Sequence, residues 1–303
     1  MGYTRFDPAH WGRYAAATRH KSLDDAFAMH ALHPYLDPRR IKVRESRDSA
    51  ANPNATPIIV ALDVTGSMGR VVNEMRKGVG TLFQDLIDRR PVPDPHVLAM
   101  GIGDAHCDRA PLQVTQFETD GVVIARQIEN IWLERGGGNN CESYNLPWYF
   151  AAMRTAIDCV KKGRKGYLFT VGDEEPAGIL RADHVNRFLV DHVQRDLDDA
   201  ELLALVGRHY HVFHIIVEEG SHAASRPSAV RTTWSDLLGQ RALPLADHRK
   251  LAETVISAIE VNEGRDAKAV AGSWSGDTAL VVARAVGGLA TSAGSAAAAV
   301  VRL

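Results

Sequence analysis

The chain has 303 residues, enough for one large domain or two small ones. Lys and Arg total 35 against 37 Asp and Glu, a net charge of −2, so the basic surface that nucleic acid requires is not expected. Hydrophobic residues make up 45%, which supports a real core, yet no apolar run is long enough to span a bilayer.

Three cysteines, Cys107, Cys141 and Cys159, form no C-x-x-C pair. Their odd number, with no secretory leader, predicts reduced thiols in a cytoplasmic protein. Residues 1–56 have weak periodicity and many turn formers. They read as an N-terminal extension that wraps the main domain, with a short helix around 21–31. The charged stretch at 44–49 reads as a solvated linker, or as a segment that orders a neighbouring loop. The apolar, β-branched run Ile58-Ile59-Val60-Ala61-Leu62 predicts a buried parallel strand that ends at Asp63. Helical spacing follows over 71–86 and stops at Arg89-Arg90-Pro91.

Strands are expected at 97–103 and 112–117, a helix at 121–132, a glycine loop at 136–140 and a long helix at 143–160. A buried strand at 165–171 runs into Gly172-Asp173, and residues 178–206 read as charged helix. A strand at 209–217, a short edge strand at 243–245 and a closing helix at 247–262 complete the pattern. Strands alternating with helices predict a mostly parallel, Rossmann-like α/β sheet with helices on both faces, spanning residues 57–265. Residues 266–303 form an Ala/Gly-rich apolar tail, helical around 279–290, that either packs back or docks a partner.

In such sheets ligands bind at the carboxyl ends of the strands. Asp63, Thr65 and Ser67 lie there at spacing i, i+2, i+4, one carboxylate and two hydroxyls. Oxygen donors of this kind suit a hard cation: Mg²⁺, with Mn²⁺ or Ca²⁺ as substitutes. Asp173 ends a second buried strand and completes the expected pair of anionic ligands. The loop at 138–143 offers Asn139, Glu142 or Ser143 as a further ligand. For Glu142 the competing role is a first-turn acid favoured by a helix dipole, and for Asn139 an N-cap.

Asp63-Val64-Thr65-Gly66-Ser67, with Gly136-Gly137-Gly138-Asn139 and Gly172-Asp173, resembles the three metal-site loops of von Willebrand factor A domains, over roughly residues 57–262. The resemblance is to bacterial intracellular members of that family. It implies a metal-ion-dependent adhesion site that binds a protein partner through the partner's acidic side chain. It also implies a cytoplasmic adaptor without enzymatic activity, beside an AAA+ ATPase or a stress-response complex. The family's second-loop Thr has no counterpart here.

A second reading makes Asp63 the nucleophile of a haloacid-dehalogenase-type phosphatase, with Lys165 balancing charge and Asp173 holding Mg²⁺. The second Asp that such enzymes carry two residues after the nucleophile is Thr65 here. Gly101-Ile102-Gly103 is a broken dinucleotide motif. Asp104, His106 and Asp108 read as a polar loop, with a second metal shell as the alternative. His209, His211 and His214 alternate across a strand and read as structural.

Overall fold

The computed structural model describes residues 6–134 and 141–290. Helix α1 (Pro8–Thr18) is capped by the Asp7 side chain, and α2 (Leu23–Ala26) by a capping box of Ser22 and Asp25. A short strand β1 (Arg44–Ser46) precedes the central strand β2 (Thr56–Asp63). Helix α3 (Gly69–Arg89), strands β3 (Pro95–Ile102) and β4 (Leu112–Val114), and α4 (Gly121–Glu129) follow. Next come β5 (Cys141–Glu142), α5 (Asn145–Met153), β6 (Thr155–Ile157) and β7 (Gly166–Gly172). Then β8 (Glu175–Pro176), β9 (Ile179–Leu180), α6 (Ala182–Phe188), β10 (Leu197–Asp198) and α7 (Asp199–Val206) lead to β11 (Tyr210–Val217). The chain continues through α8 (Ser221–Ser225), α9 (Pro227–Leu238), β12 (Ala242–Leu245), α10 (Leu251–Asn262), α11 (Ala267–Gly272) and α12 (Gly276–Val286).

The main sheet has the order β12-β11-β7-β2-β3-β4. All its pairings are parallel except β3 with β4. Every residue of β2 is buried, because it lies between β3 and β7 and both its faces are covered. Strand parity divides the core. Ile58, Val60 and Leu62 pack with Val72, Val79 and Leu82 of α3 and Val255 and Ile259 of α10. Ile59 and Ala61 pack on the other side with Trp148 and Phe150 of α5 and Trp234 of α9. The mostly parallel α/β sheet with helices is thus as the hydrophobic pattern required. Among the described residues no helix is long and apolar enough to cross a membrane.

Three local expectations are corrected. The long helix over 143–160 ends at Met153, and Thr155–Ile157 forms β6 instead. Its β-branched Thr155 and Ile157 suit a strand, and β6 pairs in parallel with β1. The charged stretch at 44–49 is therefore partly a strand and lies beside β6 rather than beside the cation loop. Residues 178–206 are two short helices separated by irregular chain, tied by the β9–β10 pairing. In the segment read as a tail, Val282, Ala285, Val286 and Leu289 are buried against the core. Residues 291–303, including the run at 296–301, lie outside the described residues.

The N-terminal extension docks by close approach. A Cβ at Gly80 of α3 would fall 1.9 Å from the Trp11 ring of α1, so only glycine admits this helix crossing. Tyr14 donates to Glu129 at 2.9 Å, and Glu129 pairs with the buried Arg76 at 3.2 Å. Gly80→Ala should lower stability by about 1–3 kcal/mol, the usual effect of overpacking. Combined with Trp11→Ala, the loss should be less than additive, because both changes act on one contact. Thermal unfolding of the two single variants and the double variant checks this; strict additivity would refute it.

Candidate functional site

Asp63 closes β2, and Asp173 stands one residue beyond β7, so both carboxylates emerge at the carboxyl edge of neighbouring strands. The chain turns sharply after Asp63 because Gly66 takes a φ of +36°. Inside that turn the Thr65 backbone N–H donates to Asp63 Oδ1 at 2.8 Å, and the Thr65 hydroxyl donates to the same oxygen at 2.6 Å. The opposite oxygen, Oδ2, accepts from the Tyr144 hydroxyl at 3.4 Å. Asp63 is fully buried.

Strand β5 brings the second loop in by pairing with β8, which sets Cys141 beside Glu175 and Glu142 beside Pro176. The structure thus brings Asp63, Thr65, Glu142 and Asp173 from three loops to one edge, near enough for their charges to interact, although the carboxylates of Asp63, Glu142 and Asp173 do not all lie within 4.8 Å of one another. Glu142 lies in β5, three residues before α5, so it is not the first-turn acid of a helix. It is fully buried, and neither carboxylate oxygen has a hydrogen-bond partner among the described residues. The hydroxyl of Ser143, the other candidate in this loop, accepts from the Ala105 N–H at 2.9 Å. Asn139 and the Ser67 side chain lie outside the described residues, as does the glycine loop before Asn139.

The electrostatics follow from burying several acids together. Burial, with Asp173 and Glu174 adding to it, raises Asp63 to about 8 against the pull of its Thr65 hydrogen bonds. Burial raises Glu142 to about 10, helped by the charges of Asp63, Glu174 and Asp108. Asp173 and Glu174 are raised as well, burial being the largest cause for each. The His222 N–H donates to Asp173 Oδ2 at 2.9 Å and moderates its shift. A buried carboxylate without a partner is costly in its charged form.

Sequence reasoning missed Tyr144 and Glu174. Tyr144 is fully buried, and its hydroxyl also accepts from the Glu174 N–H at 3.4 Å. A Cβ at Gly172 would fall 1.9 Å from the Tyr144 hydroxyl oxygen, so glycine there is what admits the ring. The run Asp173-Glu174-Glu175 was the available signal, three acids directly after a buried strand. Below the site the ring of Tyr144 meets the ring of His214 edge-on, and His214 stacks on Trp234. His214 is thus part of the aromatic support, and burial holds it well below its usual range.

The structure sets apart two of the residues that the phosphatase reading uses together. Lys165 precedes β7 while Asp173 follows it, which separates them by roughly 25 Å of extended strand. Lys165 donates to the Gly207 carbonyl at the far edge. Both oxygens of Asp63 are hydrogen-bonded and buried. The described residues hold one trio of ligand-type groups within 4.8 Å of one another, Glu219, Asp247 and His248. His248 Nδ1 already pairs with Glu219 at 2.7 Å and Asp247 with Arg249 at 2.8 Å.

The buried acids have a consequence for stability against pH. In the folded chain Glu142 and Asp63 hold protons that the unfolded chain has released, since their folded values lie above 4.5 and 3.8. Their contribution is complete below the unfolded values and is lost as pH rises through the folded ones. In chelator the melting temperature should therefore fall steadily between pH 5 and pH 9. Glu142→Gln should flatten that slope; an unchanged slope would refute the assignment.

No family model matches the chain, and no curated protein matches it. Among solved structures, the open conformation of the pilus adhesin SpaC from Lactobacillus rhamnosus GG aligns at a TM-score of 0.43 and 8% identity, covering 71% of this chain and 31% of that one. A second form of SpaC aligns at 0.43 and 9%, covering 72% and 32%. Proximal thread matrix protein 1 from the mussel byssus aligns at 0.43 and 11%, covering 68% and 47%. The chain thus spans less than half the length of each of these neighbours, and the likeness is too slight to carry an argument. The expected von Willebrand factor A membership is corrected: neither a family model nor a curated protein places the chain in that family. The AAA+ ATPase or stress-response partner rested on that resemblance and is withdrawn with it.

Proposed function

We propose that the chain is a divalent-cation-dependent protein-binding module and not an enzyme. The observation that carries this reading is Glu142, fully buried beside Asp63 and Glu174, with neither oxygen within hydrogen-bond distance of a donor among the described residues. A cation among Asp63, Thr65, Glu142 and Asp173 would remove the cost of burying those charges. The donors are all oxygen, which fits Mg²⁺, or Mn²⁺ or Ca²⁺ in its place. Asp63 and Asp173 alone balance a divalent charge, so the ion can still accept a carboxylate from a partner protein. With Glu142 also bound the ion is over-compensated, and Glu142 then acts as an internal occupant that a partner's acidic side chain displaces.

A depression of about 180 Å³ lined by Met68, Arg70, Glu219, Gly220 and His248 opens beside the first loop. A Cβ at Gly220 would fall 2.3 Å from the Asp173 carboxyl, so glycine there keeps this approach narrow but open. Cys107, Cys141 and Cys159 are thiols, which suits a cytoplasmic setting.

Calorimetric titration of the full chain with Mg²⁺ tests the reading. Saturable binding is expected in the wild type, and Asp63→Ala should abolish it. The melting temperature should rise with Mg²⁺, by an amount equal to about 2.7 kcal/mol at a hundredfold excess over Kd. Absence of binding by Mg²⁺, Mn²⁺ and Ca²⁺ alike, or binding that survives Asp63→Ala, would overturn it.

A further inference from the structure

Far from the cation loops, at the C-terminal end of α5, two depressions adjoin. One, of about 720 Å³, is lined by His33, Tyr35, Arg40, Lys42, Val43 and Arg44 and by no acid. The other, of about 630 Å³, is lined among others by Arg39, Tyr149, Met153, Val190 and Asp191. They share Ile41 and Lys42. Helix α5 runs from the cation loops to this groove, a separation of roughly 13 Å along its axis.

Three features set the groove apart. The first is charge. Arg39 and Arg40 share the single carboxylate of Asp37, at 2.8 and 3.7 Å. Lys42 is exposed and makes no ion pair among the described residues. Arg44 donates to the Tyr35 and Val114 carbonyls at 2.7 and 3.0 Å, while its buried Nε has no acceptor among the described residues. Glu118 adds an attraction to Arg44 without reaching hydrogen-bond contact. Asp191, the one acid at the groove, is already bound by Arg154 at 2.5 Å and by the Tyr149 hydroxyl at 3.1 Å.

The second feature is exposed apolar surface. Tyr35 is 81% exposed, Met153 57% and Val190 53%. The third is strain. Val190 has a φ of +62°, a left-handed conformation that a β-branched residue avoids. Arg154 holds it there, by donating to the Leu189 carbonyl on one side and to Asp191 on the other. The same guanidinium binds the Pro38 and Ile41 carbonyls at 2.8 and 2.7 Å, which fixes both depressions on one support. A glycine at 190 would remove the strain. An exposed valine held against its preference points to a use outside folding.

We infer that this groove binds a short acidic segment of a partner protein, its carboxylates along Arg40, Lys42 and Arg44 and its apolar side chains on Met153 and Val190. Charge complementarity selects the occupant, since the rim is cationic and its acids are neutralised. The adaptable thioether of Met153 and the exposed ring of Tyr35 supply contacts that a purely electrostatic ligand would not use. This contact needs no cation, so it stands apart from the cation loops.

Fluorescence anisotropy on the full chain in chelator tests it, with a labelled peptide of alternating glutamate and leucine as probe. Saturable binding that weakens with salt is expected. Lys42→Glu and Met153→Ser should each weaken it by about tenfold. Val190→Gly should weaken it several-fold while raising the melting temperature, which separates lost contact from lost folding. Asp63→Ala should leave it unchanged. Four results would overturn the inference: no saturable binding, equal binding in Lys42→Glu, equal binding of polyglutamate or of an oligodeoxythymidylate, or a wild-type dimer in sedimentation that Met153→Ser dissociates.

Discussion

The structure depends on burying β2 on all sides and then ending it in a charge. Parallel pairing with β3 and β7 satisfies the backbone of this strand, and its side chains alternate between the two halves of the core. Residues outside the sheet are placed by reference to that strand. Where β2 stops, the same burial falls on Asp63, and an acid inherits an environment built for valine and isoleucine. The Thr65 hydrogen bonds and the Tyr144 hydroxyl offset part of that cost.

The site is therefore a concentration of unbalanced charge that the fold itself creates. β7 delivers Asp173 beside Asp63, and the β5–β8 pairing delivers Glu142 to the same edge. The supports beneath are apolar and rigid: Tyr144, His214 and Trp234 pack ring against ring. Rigid support keeps the acids from separating to relieve their repulsion, so the relief must come from protons or from a cation. Elsewhere the chain solves the same problem internally. Glu260 is fully buried but pairs with Arg89 at 2.8 Å and with Arg265 at 2.5 Å. Comparison of Glu260 with Glu142 separates an acid used to hold helices together from one whose oxygens meet no donor at hydrogen-bond distance among the described residues.

The groove beneath α5 has a different physical basis. Arg154 organises it through backbone carbonyls of two segments that are distant in sequence, and one of its bonds keeps Val190 strained. The acidic loops and the groove lie at opposite ends of one helix, and each depends on its own set of charges.

Much of the frame was legible because it is local. The β-branched run before Asp63, the helical spacing of α3 and the strand before Asp173 each encode their own element through periodicity, and their alternation implies the parallel sheet. The positions of Asp63, Thr65 and Asp173 at strand ends followed directly. Other features were hidden because they join residues far apart in the chain. The end of α5 at Met153 depends on β1 more than a hundred residues earlier, through the Arg44–Thr155 register. The place of Glu142 depends on Glu175 and Pro176, and the role of Tyr144 on the missing side chain of Gly172. The sequence by itself determined the strands β2, β3, β7 and β11, the helix α3 and the acids that stand at the ends of β2 and β7, since those follow from local hydrophobic period. Only the tertiary structure decided which acids are buried near one another, since that is set by packing between segments that local pattern does not connect.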